Sequence, residues 1–324
     1  MNEPNYISLA DIQARPLPPG FETISGPLEY SLLNDLMFRM VFEANQEALK
    51  SLLAALLHLN ESDITELEIK NPIRFGKRVD EKQYIYDIYL LLNNKQKIHL
   101  ELQVLRQNFW TDRSLCYLCR DFGDLNAGDN YDTVKPLIQI DILDFSLFKD
   151  SNEFYATYHL ANDKTGRIYS DKLSLHVLQL NKGKYATEED KSSGIYHWAM
   201  LFKATTWKEL KTLAQKQAAL QSTIETMYRF TADDYTREEI RAREEELRVQ
   251  RTIESIHKRE LQERDDKIAE QSATITEQNT TIVELDATVS KQNTTIAEQE
   301  KLLADKEQEN ARLRSLLKQQ GIEY

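Results

Sequence analysis

The chain has 324 residues, of which 41% are hydrophobic, and a net charge of −12, enough apolar material for one sizeable core with room for a second domain. Its longest apolar stretch, around Leu52 to Leu59, is broken by His58 and falls far short of the roughly 18 residues a membrane span needs, so no membrane partner is expected. Residues 1–236 carry 26 Lys+Arg against 33 Asp+Glu, and residues 237–324 carry 15 against 20, which excludes a basic nucleic-acid clamp but leaves open enzymes that reach phosphates through a carboxylate-held metal ion.

Residues 1–27 hold five of the seven prolines (Pro4, Pro16, Pro18, Pro19 and Pro27) and no apolar period, so they read as an extended arm. They lack a basic leader, an apolar run and a small-residue cleavage site, and a cytoplasmic location is expected. From Tyr30 to Leu59, apolar residues recur at three-and-four spacing through Leu32, Leu36, Met40, Leu49, Leu52, Leu53 and Leu56, predicting one or two amphipathic helices. Asn34 or Asp35 is placed to cap a break.

Three strands are expected next, over Thr65–Phe75, Gln83–Leu92 and Lys97–Leu105. In the last, Ile98, Leu100, Leu102 and Val104 alternate with His99, Glu101 and Gln103, the period of two that sends one set to a core and the other to the opposite face. Asn93-Asn94-Lys95-Gln96 is turn material that joins the second and third strands as a hairpin. A helix over Phe109–Leu125, a strand over Leu137–Phe148 with Ile138, Ile140 and Ile142 on one face, strands near Phe154–Leu160 and Leu173–Leu180, and helical spacing from Ser192 to Phe230 complete a domain spanning 28–230. The order predicts an α/β (α+β) domain with a mixed sheet flanked by helices. Cys116 and Cys119 form a CxxC pair inside the predicted helix with no second Cys or His pair nearby, so they read as packed, reduced thiols rather than half a zinc site.

No proline follows Pro136 and no glycine lies between Gly194 and Gly321, so a long C-terminal helix over 231–320 is expected. Leu261, Ile268, Ile275, Ile282, Val289, Ile296 and Leu303 recur every seven residues. That internal repeat predicts a coiled coil and a homo-oligomer through residues 261–317, although the second core position is mostly Gln.

Two carboxylates carry the candidate chemistry. Asp87 lies in IYDIYLLL and Glu101 in IHLELQV, where a charge within an apolar strand is costly without a partner. If paired positions sum to 188 or 190, Asp87 lies opposite Glu101 or Gln103 and all three share a face. Such a pair suits a hard cation like Mg²⁺, which takes one or two protein carboxylates; a solvent-facing pair without ligand is the alternative. His99 shares that strand face and reads as a packed histidine.

The series NDLMFRMVF, YIYDIYLLLNNKQKIHLELQ, FWTDRSLCYLCRDF, YDTVKPLIQIDILDF, DKLSLHVLQL and HWAMLFK resembles, in order and over about Leu32 to Lys203, the Rpn-type branch of the PD-(D/E)xK nucleases, known as recombination-promoting nucleases or transposases. The resemblance implies a restriction-endonuclease-like core, Mg²⁺ or Mn²⁺ as cofactor, DNA as partner, and phosphodiester hydrolysis linked to recombination or mobile elements. It makes Asp87 and Glu101 metal ligands and catalytic residues. Gln103 then stands where the general pattern has lysine, in the E-x-Q form usual for this branch. Asp35 matches an acidic residue that completes the metal site or caps the helix. Arg113 and Tyr117, with Arg120 on the next turn, match an R-x-x-x-Y helix that contacts phosphate. A catalytically inert nuclease-fold protein serving coiled-coil oligomerisation is the competing reading.

Overall fold

The computed structural model describes residues 8–74, 84–123, 128 and 130–319. By internal contacts the chain divides into a first unit, 1–244, and a second, 245–324. In the first unit, residues 9–27 depart from the extended arm expected of them. Ser8 and Asp11 form a capping box on α1 (Leu9–Ala14), and Ile12 and Phe21 are buried in the main core. Proline stops the helix from lengthening but leaves apolar side chains free to pack.

The amphipathic stretch forms two helices, α2 (Asp35–Ala44) and α3 (Gln46–Leu57). Asn34 caps the first by accepting from Met37 N–H, and Asn45 caps the second by accepting from Ala48 N–H. Each satisfies one of the donors a helix start leaves orphaned. His58, at φ 51°, ends α3 in the left-handed region.

Strands β1 (Leu67–Lys70), β2 (Ile73–Arg74), β3 (Tyr84–Ile85), β4 (Ile88–Leu92) and β5 (Gln96–Gln103) follow. The ends of two expected strands, at Phe75 and Gln83, lie outside the described residues. Among the described residues β2 and β3 pair only with each other. The β4–β5 hairpin pairs Ile88 with Leu100 and Leu92 with Gln96, so opposing numbers sum to 188. Its turn, Asn93-Asn94-Lys95, places Asn93 at φ 50° and Asn94 at φ 54°, a conformation asparagine tolerates better than most residues. Asn93 also ties the turn down: Oδ1 accepts from Thr65 N–H (2.8 Å) and Glu66 N–H (3.1 Å), and Nδ2 donates to Asp63 O (2.7 Å). Asn93→Ala is expected to cost about 2 kcal/mol, from lost hydrogen bonds and a strained φ, read as a lower urea midpoint.

After α4 (Trp110–Phe122) come β6 (Leu137–Leu143), β7 (Tyr155–His159) and β8 (Leu173–Gln179). The six-stranded sheet runs β1-β4-β5-β6-β8-β7. β5, β6 and β8 are parallel neighbours, and β1, β4 and β7 join antiparallel. One face of β5 and β6 presents Ile98, Leu100, Leu102, Ile138, Ile140 and Ile142 to the main core, each worth about 1.5–3 kcal/mol on full burial. That core is closed by α2, α3, α6 (Ile195–Lys203), α7 (Trp207–Ala214) and α8 (Ala218–Ala232), with the short polar α5 (Glu188–Ser192) preceding α6. Phe38, Phe42, Trp198 and Phe202 interlock there, with ring centroids 5.2–6.3 Å apart.

The expected long helix is α9 (Asp234–Gln319). Its first turns belong to the first unit, where Thr236 and Ile240 are fully buried; the compact unit therefore extends past residue 230. Cys116 and Cys119 are exposed and free, not packed as expected, because α4 turns Ser114, Tyr117, Leu118 and Asp121 inward instead.

Candidate active site

The second face of β5 and β6 is polar. His99 and Glu101 on β5 lie beside Gln139 and Asp141 on β6, paired His99 with Gln139 and Glu101 with Asp141. All four are buried beneath α4, which follows β5 in the chain. Alternation of LIQIDIL predicts that Gln139 and Asp141 share a face; α4 decides that they are inside.

Asp87 sits one residue before β4, so the 188 register carries it opposite Glu101 and onto the same face. Its N–H donates to Glu101 Oε1 at 3.3 Å, and its own Oδ2 accepts from Leu102 N–H at 2.7 Å. Burial, reinforced by the charge on Asp35, pushes Asp87 up to about 6 against the Leu102 hydrogen bond and the cations Arg39 and Arg113. Burial first, then Asp87 and Asp141, hold Glu101 well above the usual carboxylate range, with Arg113 opposing. Buried carboxylates repel one another and resist ionisation until a cation joins them.

Asp141 was not singled out from the sequence. It is 1% exposed and accepts from Ser114 Oγ (2.7 Å), Trp110 Nε1 (3.1 Å) and Gln139 Nε2 (2.8 Å). Burial still pushes it up to about 6. With its amide nitrogen on Asp141, Gln139 turns Oε1 to His99 Nδ1 at 3.2 Å, so that nitrogen carries a hydrogen. His99 Nε2 contacts Asp121 Oδ2 at 2.9 Å. Burial outweighs the opposing pull of Asp121 and holds His99 below the usual imidazole value. His99 also stacks on Tyr86, with centroids 4.0 Å apart. This is the packed histidine expected from the sequence, and it fastens α4 to the sheet.

The remaining sequence candidates fall around this pair. Asp35 is the first residue of α2, while the cap is Asn34; its Oδ2 accepts from Arg243 Nε at 3.3 Å. Arg113 projects from α4 between two aromatic rings, its guanidinium carbon 5.5 Å from the Trp110 centroid and 5.1 Å from that of Tyr117. It donates to Gln107 Oε1 (3.1 Å) and to the Tyr117 hydroxyl (3.3 Å), and it opposes the raised pKa of Asp87, Glu101 and Asp141. Tyr117 is itself buried and packs edge-on against Tyr86, so it holds Arg113 rather than reaching outward. Arg120 is partly exposed on the same helix. Gln103 lies two residues beyond Glu101 on the same strand face, its Nε2 donating to Leu105 O at 2.7 Å.

Arg39 was also missed. One turn beyond Asp35, it lowers Asp87, and its buried Nε has no hydrogen-bond partner among the described residues. Its ion pair with Glu43 is long, 3.7 Å. A spacing of four from Asp35 was the available signal.

Among the described residues no three His, Cys, Asp or Glu side chains are grouped to hold a metal ion, so the face offers no all-protein cage. The donor chemistry nonetheless fits a hydrated divalent ion. Two hard carboxylates share one face with charge that the neighbouring arginines only partly offset, and Mg²⁺ requires just one or two such ligands.

A family model described as PD-(D/E)XK nuclease family transposase matches residues 32–255, over half of the chain and in agreement with the resemblance drawn from sequence. Comparisons with curated proteins and with solved structures give no match. No described helix is long and apolar enough to cross a membrane.

Proposed function

We propose that this chain, which belongs to the PD-(D/E)XK nuclease family transposases, is a divalent-metal-dependent endonuclease that hydrolyses phosphodiester bonds in DNA. The observation that carries the reading is the opposition of Asp87 and Glu101 across the β4–β5 hairpin, with both carboxyls raised by burial, Asp87 further by Asp35 and Glu101 further by Asp87 and Asp141. Asp87 and Glu101 would hold Mg²⁺ or Mn²⁺, with Asp35 close enough to bias Asp87. When bound, the ion would lower the pKa of a water and offset charge developing on the phosphate.

The chain's own groups do the positioning. Gln103 gives its amide nitrogen to Leu105, leaving Oε1 as the acceptor that orients a water by taking one of its hydrogens. Arg113, pre-set between Trp110 and Tyr117, supplies a fixed guanidinium for a phosphate oxygen; Arg120 adds a second cation on that helix. Recombination or mobile-element DNA is the biological setting that accords with the family description.

Purified protein should convert supercoiled plasmid to nicked circles with Mg²⁺ or Mn²⁺ and not in chelator. Metal-independent nicking would overturn the reading. Gln103→Lys restores the cation of the general family pattern beside two carboxylates that resist ionisation. The variant is expected to cleave about tenfold faster at neutral pH, about 1.4 kcal/mol of barrier, measured by initial nicking rates. An unchanged or slower rate would show that Gln103 is not at the lysine's station.

A further inference from the structure

We propose that residues 261–303 pair with a second copy of this chain as a parallel, in-register, two-stranded coiled coil. The surface is a single stripe on α9. Leu261, Ile268, Ile275, Ile282, Val289, Ile296 and Leu303 lie seven residues apart, and each is 50–60% exposed on the single chain. A stripe of large apolar side chains repeated at one interval marks an interface.

The occupant follows from the stripe's own composition. Taking the seven as position a, position d within the stretch holds Arg264, Gln271, Gln278, Leu285, Gln292 and Gln299. In a parallel pair, a faces a and d faces d. Isoleucines then meet isoleucines, and each glutamine amide meets an identical amide to which it can both donate and accept. In an antiparallel pair, a faces d, so Ile268 would meet Gln299 and Ile275 would meet Gln292, each burying an amide against an apolar chain without a partner. A different protein would need to reproduce this alternation over six heptads; a second copy does so automatically.

Leu285 sets the register. It is the lone apolar d residue between 271 and 299 and is 59% exposed. Only zero offset places it against its own copy; a slip of one heptad sets both leucines against glutamines. Five of the seven a residues are β-branched, which favours two strands. The flanking contacts, from g of one chain to the next e of the other, join Lys267 to Ser272, Thr281 to Asp286 and Thr295 to Glu300. None of these three sets like charges together; like charges meet only at the amino-terminal end, where Arg264 faces its own copy and Glu260 faces Asp265. The pairing does not depend on the nuclease reading, and it would deliver two nuclease units per assembly, one for each strand of a duplex.

The test uses the full chain with Cys116→Ser and Cys119→Ser, because both native thiols are exposed. In that background Ile282→Cys should give a covalent dimer on mild oxidation, and light scattering should return the mass of two chains before oxidation. A mixture of Ile268→Cys with Gln299→Cys chains should give no mixed cross-link beyond the background of an outward Thr280→Cys control. Mixed cross-linking of that pair would establish antiparallel packing and overturn the proposal. So would efficient cross-linking of Ile282→Cys to Val289→Cys chains, which requires a slip, or a mass of one or three chains.

Discussion

Asp87→Ala is expected to reduce metal-dependent nicking by at least about 10³-fold, about 4 kcal/mol of transition-state stabilisation. The expectation rests on placement. Asp87 stands opposite Glu101 at the mouth of the hairpin, and Glu101 alone, buried and repelled by Asp141, is a poor anchor for a hydrated ion. Asp87→Asn separates this role from a structural one. The amide oxygen still accepts from Leu102 N–H, the contact now made at 2.7 Å, while the unfavourable charge disappears. That variant should lose activity to the same extent with a urea midpoint at or above wild type. A variant that nicks DNA as well as wild type would remove Asp87 from catalysis. A lowered midpoint in step with lost activity would assign the residue to the fold.

The second large effect is on stability against pH. Asp87 and Asp141 are each raised from 3.8 to about 6 in the folded state. Between those values the native protein keeps protons that the unfolded chain has released, so unfolding free energy falls as pH rises, and the penalty is complete above about 6. A shift of that size corresponds to on the order of 3 kcal/mol for a single carboxylate. In chelator, the urea midpoint of wild type should therefore be higher at pH 4.5 than at pH 7.5. Asp87→Asn should flatten that difference, and millimolar Mg²⁺ at pH 7.5 should recover part of it through binding to the native state alone. A midpoint that rises with pH in chelator would show that the cluster is ionised without cost. In that event the carboxylates would be solvated and the argument for a divalent ion between them would fail.

Much of the route to this site was readable in the sequence, and the departures have specific causes. Period-two alternation placed His99, Glu101 and Gln103 on one face of β5, and it could have placed Gln139 and Asp141 on the matching face of β6. What covers that face was not readable. Alternation separates two faces of a strand without saying which is wet, and here a helix 13 residues long brings Trp110, Ser114 and Asp121 over polar side chains. The hairpin had two permissible registers. The tie between Asn93 and the backbone of Thr65 and Glu66, a contact between segments far apart in the chain, belongs to the turn that gives 188. Arg39 becomes part of the site only because the fold brings α2 near Asp87.

The sequence by itself determined the order of helices and strands apart from α1 and the breaks that divide two expected strands into β1–β2 and β3–β4, together with the pair of carboxylates and the heptad stripe, because each is written in the spacing of neighbouring residues. Tertiary structure decided that Asp87 opposes Glu101 rather than Gln103, that Asp141 is a buried neighbour of both chemistry and fold, and that Tyr117 supports Arg113. Those outcomes depend on which surfaces exclude water from which charges. Exclusion is a property of packed elements, not of any local run of residues.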